Sequence, residues 1–407
     1  SALAGMAVLF YLYVSGTPVP VSEGQKEEPT MLSSLPTMTP LPEATLPGLV
    51  TPTLTATIAP SPTASATASA TATETPTPTP SPTLLPAARL ASAYRAKRNG
   101  DYQLARAEFR AVLDAPQSLA EQIEAQYELG ICAVLDGAFE AGRDLLAQFI
   151  QEYPKDHRVA AAHLYIAQAY EGMNDYAAAV DHHRRYLDRQ DVLSDLIYTQ
   201  IGDDLMLLAD FEGAVQAYKQ AMEAASDLGQ QYDLREQIGV AYSAAGQFDE
   251  SITWLKSIID QSENVYRLAR IWYLIGQVHR MAGRESEALD AFSQAVYGDP
   301  RPGYAHAALV ALVEAYVQVD DYQRGLINYH AGSYGAAVAA FQRYIDTVSE
   351  YDSNAHYYVS LSYLESGSYD LAVQECEHAL SMYPDTIPHW GDLWLIRARA
   401  LAAQDLL

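Results

Sequence analysis

Basic side chains are scarce throughout this 407-residue chain and nearly missing from its first 86 positions. Only Lys26 precedes position 87, and 25 Lys and Arg stand against 51 Asp and Glu, a formal charge of -26. Such a surface repels phosphate backbones, which excludes nucleic acid as a partner class. Cysteine is equally sparse. Cys132 and Cys376 cannot make a disulfide framework, sit in no CxxC or Cys/His cluster, and read as small buried hydrophobes. Also missing are HExxH, a Walker loop, a dinucleotide glycine loop, GxSxG and paired Ser/Lys arrangements. No catalytic constellation, cofactor site or metal site is therefore expected from spacing alone.

What is present divides the chain into segments. Residues 2–14, "ALAGMAVLFYLYV", are uninterrupted apolar or aromatic. As a helix they would reach about 20 Å, short of the ~30 Å hydrocarbon layer. Residues 1–16 are expected to be a truncated transmembrane or signal-anchor helix, with Phe10, Tyr11 and Tyr13 as an interfacial belt. The tail of a secretory signal peptide ending at "VSG" is the alternative. Residues 17–86 then hold 15 of the 21 prolines and 17 threonines, with no aromatic residue. Proline at alternate positions removes helix donors, and nothing here can bury apolar area, so a disordered stalk is expected. Its reach lies between about 45 Å as a flexible coil and about 215 Å if extended. With such an anchor and stalk, the remainder is expected outside the cytoplasm, in the cell envelope or a periplasm-equivalent.

From position 87 the chain repeats itself. In "WYLIGQVHRMAGRESEALDAFSQAVYGDP", Trp272, Gly276, Ala288, Phe292, Ala295 and Pro300 have the spacing of a helix hairpin. Small residues let two helices approach, Phe292 fills between them, Gly283 turns the chain and Pro300 ends the second helix. The small residue of the second helix recurs at Ala105, Gly142, Ala179, Ala214, Ser251, Ala288, Ala337 and Ala372, at gaps of 37, 37, 35, 37, 37, 49 and 35. The first-helix partner recurs at Gly130, Gly202, Gly239 and Gly276, and an aromatic at the turn as Tyr102, Phe139, Tyr176, Phe211, Phe248, Tyr334 and Tyr369. The chain here resembles the tetratricopeptide repeat family, with Ile275 and His279 as mild departures. The resemblance implies an all-α solenoid of stacked helix pairs. Six repeats are expected over 87–302. Over 303–407 an extra helix near Tyr304–Val317, further repeats and a truncated last repeat are expected. In "LWLIRARALAAQDLL", Trp394, Ala398 and Leu401 take first-helix slots of a ninth repeat, so the natural protein is expected to continue past Leu407.

The family's lining slots imply a concave binding face carrying Tyr127, Gln168, Asp203, Tyr273, Gln277, Arg280 and Tyr357. Tyr, Gln and Arg suit peptide or glycan recognition, and solvated helix positions with no ligand are the competing account. Two decoys are set aside. His183 of "DHHRR" (181–185) occupies the Phe292 slot, which favours a packed core histidine over a metal ligand. Glu365-Ser366-Gly367 looks like the catalytic Glu-Ser-Gly of lytic transglycosylases, but no Gly-Leu-Met-Gln segment follows, and Gly367 holds a turn slot. The expected function is a membrane-anchored extracytoplasmic scaffold for protein partners. The alternative, by weaker resemblance, is the non-catalytic superhelical part of a cell-wall lytic transglycosylase, for which peptidoglycan would be the partner.

Overall fold

The computed structural model describes residues 85–301, 303–348, 352–382 and 388–404. The apolar opening run and nearly all of the Thr/Pro-rich segment lie outside them. Eighteen α-helices and no strand occur among the described residues. Six hairpins come first: α1–α2 (Pro86–Arg98, Tyr102–Asp114), α3–α4 (Leu119–Leu135, Phe139–Glu152), α5–α6 (Val159–Gly172, Tyr176–Leu187), α7–α8 (Ser194–Leu207, Phe211–Ala224), α9–α10 (Leu228–Ala244, Phe248–Ile259) and α11–α12 (Val265–Met281, Glu285–Tyr297). A single helix α13 (Gly303–Glu314) precedes two more hairpins, α14–α15 (Asp321–His330, Tyr334–Thr347) and α16–α17 (Ser353–Glu365, Tyr369–Met382). Helix α18 (Trp390–Ala403) follows. Each helix packs on its chain neighbours, and first helices such as α3 and α5, or α16 and α18, also touch across one repeat. This is the nearest-neighbour packing of an α-solenoid.

The hairpins follow from a local code. The second helices are started by side-chain caps where Asp101, Asp175 and Asp210 accept from the backbone N–H groups of Leu104, Ala178 and Gly213. Two residues before each second helix the chain reverses through the left-handed region. Glycine does this six times, from Gly100 to Gly367, at φ between +73° and +79°; Asn174 and Ala209 do it at +59° and +56°. All eight small residues read from the repeat are buried. Four positions further along, Phe109, Leu146, His183, Tyr218, Leu255, Phe292, Phe341 and Cys376 fill the hairpin core. A Cβ at Gly276 would collide with the Phe292 ring, so the close approach of α11 and α12 requires glycine there.

The extra helix ends earlier than its apolar pattern suggested, at Glu314, because the chain turns left-handed at Tyr316. It packs on α11 and α12 where the first helix of a next repeat would sit. Its Ala305, Ala308, Leu309 and Leu312 complete the core around Phe292 and Ala295. On α18, Leu393, Ile396 and Ala400 are buried against the preceding hairpin, while Trp394, Leu395 and Ala398 are exposed.

Candidate functional site

Helix α11 presents one long face of large side chains. Its N-terminus is fixed by Asn264, whose side-chain Oδ1 accepts from the backbone N–H groups of Tyr266 and Arg267 at 3.0 and 3.1 Å. From there Tyr266, Arg270, Tyr273, Gln277 and Arg280 follow at steps of four, three, four and three, a single helical stripe. Tyr266 is exposed and the other four are half-buried, so none belongs to the core.

The stripe's first turns form one wall of a groove of about 400 Å³, completed by Asp233 and Glu236 of α9 and by Arg301, Gly303 and Tyr304 at the start of α13. Three guanidinium groups lie over aromatic rings: Arg267 over Tyr232 at 5.1 Å, Arg270 over Tyr304 at 5.6 Å and Arg301 over Tyr266 at 5.6 Å. Each also meets a carboxylate, Arg267 on Asp233 at 2.6 Å, Arg270 on Glu236 at 2.5 Å and Arg301 on Asp299 at 2.5 Å. Burial pushes the Glu236 carboxyl above its ordinary range, and Arg270 pulls against that shift. In a chain of charge -26 this is a charge-balanced patch of flat, stackable groups. It offers ring faces, fork-shaped donors and acceptors within one groove, the chemistry that grips backbone and side chains of an extended peptide.

The residues read from the sequence are distributed unevenly. Tyr273, Gln277 and Arg280 share the α11 face, with Tyr273 in tilted ring contact with Phe292 and Tyr304 at 5.7 Å from each and Arg280 over Phe292 at 4.8 Å. Gln168 is exposed on α5, Asp203 of α7 accepts from the Tyr218 hydroxyl at 2.7 Å, and Tyr357 of α16 stacks on His389 at 4.1 Å. Tyr127 needs correction as a lining residue. It is 7% exposed, packed on Phe149 beneath Arg158, and belongs to the core. The Trp272 and Ala295 signature positions pack as the repeat requires. Glu365, Ser366 and Gly367 form a helix end and its turn.

Sequence reading passed over Tyr266, Arg267, Arg270, Arg301 and Tyr304. Stepping the Tyr273 face back by three and seven finds Arg270 and Tyr266. Tyr304 has no such signal, because it comes from a helix outside the repeat frame.

Tetratricopeptide repeat family models match residues 230–297 in one form and residues 90–157 and 322–387 in another. Among solved structures, a tetratricopeptide repeat protein from Parabacteroides merdae is 12% identical, covers 78% of this chain and 98% of its own, and has a TM-score of 0.39. The C-terminal part of a TPR repeat-containing protein from Cytophaga hutchinsonii is 13% identical over 65% of this chain and 97% of its own, at a TM-score of 0.44. MamA protein is 19% identical over 43% of this chain and 90% of its own, at a TM-score of 0.37. The search of curated proteins gave no match.

Proposed function

Because this chain is a tetratricopeptide repeat protein, and such repeats mediate protein or peptide interactions, we propose that it is a scaffold taking an extended peptide segment along α11, held outside the cytoplasm by an N-terminal membrane anchor. The α11 stripe with its adjoining groove carries the binding half of this reading. Its Tyr and Arg side chains are the residue types that dominate interface energetics, and Tyr266 is 52% exposed, available to a partner. Gln168, Asp203 and Tyr357, on three other first helices, would extend the contact along the solenoid. The anchor is supported by the apolar run at 2–14 and by the Thr/Pro-rich spacer behind it.

One experiment addresses both halves. Peptides are selected from a random displayed library against the purified full chain, then labelled and applied to intact spheroplasts that carry it. Binding is expected without permeabilisation. Replacing Tyr266 and Tyr273 together by alanine should weaken it tenfold or more, about 1.4 kcal/mol per tenfold. Undiminished affinity in that variant rejects the groove. Binding only after permeabilisation rejects the placement and leaves the groove standing. Competition by glycan strands would assign the face to peptidoglycan instead.

A further inference from the structure

Two core positions break the repeat's apolar rule, and they meet beside a half-exposed carboxylate. His183 fills a slot held elsewhere by Phe109, Leu146, Tyr218, Leu255, Phe292, Phe341 and Cys376. Asp204 lies two residues beyond the first-helix glycine Gly202, where Cys132, Ala241, Val278 and Ile327 stand in other repeats. Glu171 closes the group from α5, so the cluster joins α5 and α6 of one hairpin to α7 of the next. His183 Nε2 is 2.8 Å from Glu171 Oε1 and 3.9 Å from Asp204 Oδ2. One ligand atom from each of the three lies within 4.8 Å of the other two.

Asp204 is 4% exposed and its Oδ2 has no hydrogen-bond partner; His183 is 2% exposed and its Nδ1 has none either. A buried carboxylate oxygen left bare is strongly unfavourable unless a cation or proton satisfies it. The His183 imidazole nitrogen lies 3.9 Å from it and Glu171 approaches the same nitrogen, so three ligand atoms share one small volume. A tetrahedral zinc ion sits about 2.0–2.1 Å from such ligands and holds them about 3.3 Å apart. The 2.8 Å separation would open by about half an ångström, the 3.9 Å one would close by about as much, and the Glu171–Asp204 pair, within 4.8 Å, would close by up to about 1.5 Å. Two carboxylates and a neutral imidazole also cancel a divalent charge, which buried ligand sets must do. Glu171 is half-exposed and gives the ion a route in and an open coordination position.

We propose that Glu171, His183 and Asp204 bind a divalent transition-metal ion, of which zinc is the representative, and that this ion staples the third repeat to the fourth. Spacing along the chain could not announce it, because the three ligands come from three helices and match no short motif.

The test is zinc titration of the purified, chelator-treated full chain, followed by calorimetry and by thermal melting. About one equivalent is expected to bind and to raise the melting temperature. His183→Phe installs the phenylalanine that three other repeats carry, so the variant should fold while losing zinc affinity tenfold or more and losing the melting shift. Asp204→Asn should lose affinity similarly. His182→Leu should keep it, although His182 lies 3.1 Å from His163 through their Nδ1 atoms and offers a rival pair. Absence of stoichiometric binding overturns the proposal. So does undiminished binding by His183→Phe, or a loss confined to His182→Leu.

Discussion

At Tyr127 the repeat frame and the packing diverge. A lining slot in the family becomes a core slot here because Arg158 reaches across it, its guanidinium 5.5 Å from the Tyr127 ring and 5.8 Å from Phe149. Arg158 is itself locked. Its Nε and Nη2 donate to the two carboxylate oxygens of Asp156 at 2.9 Å each, and its backbone N–H donates to the same group. These bonds, above all those from the guanidinium, hold the Asp156 carboxyl at about 2 instead of the ordinary 3.8. A carboxyl whose folded value is depressed contributes stability above its unfolded value and loses it as pH falls through the folded one. Asp156→Asn should therefore lower the melting temperature at pH 6, with the gap to the parent closing between pH 4 and pH 2. A gap that stays constant over that window would mean the charge on Asp156 does nothing for the fold. Nothing in the local sequence distinguishes this clamp from a surface pair, which is why Tyr127 could not be placed correctly from spacing.

Helix hairpins, by contrast, were legible almost residue by residue. Small residues at fixed separation, an aromatic opening seven of the eight second helices and a left-handed residue, glycine at six turns, two positions before each answer steric demands, so they recur in the sequence as they do in the fold. Asn174 and Ala209 obscure the rule at two turns, yet the backbone keeps its left-handed residue at both. An alanine in that region costs roughly 1–2 kcal/mol relative to the right-handed form. Glycine there would cost about 0.4–1 kcal/mol through the freer unfolded chain. Ala209→Gly should thus stabilise the protein by about 0.5–1 kcal/mol. Gly283→Ala should destabilise it by a similar amount, and conformation alone accounts for that, since nothing stands within 4 Å of the added Cβ. Denaturant midpoints of the two variants check this, and shifts of the same sign would refute it. What the element code left unread is the contribution of α13 to the groove, because Tyr304 lies outside any repeat. The Glu171–His183–Asp204 cluster also escaped it, being assembled across helices.

On the scale of the molecule, a solenoid's cooperativity is only as strong as its weakest neighbour contact. Helices α13 and α14 meet through fewer residues than any other consecutive pair. What joins the two sides is narrow. Val319 and Ile327 enter the core built around Phe292, the Gln323 amide donates to Val296 O at 2.7 Å, and the Asp320 N–H donates to the Tyr297 hydroxyl at 3.2 Å. Between them Tyr316 is 92% exposed in a left-handed turn. Native-state amide exchange should accordingly show 321–382 opening at a lower free energy than 85–297, with chymotrypsin cutting first after Tyr316. Ile327 is fully buried at this junction, and truncating such a side chain to alanine costs about 2–5 kcal/mol. That loss falls mainly on the coupling between the two blocks, so Ile327→Ala should separate one melting transition into two. The equivalent truncation at Ile258, inside the first six repeats, should lower the main transition without splitting it. A single transition in Ile327→Ala, with equal exchange on both sides of Tyr316, would show that the narrow junction transmits as much stability as the full hairpin interfaces do.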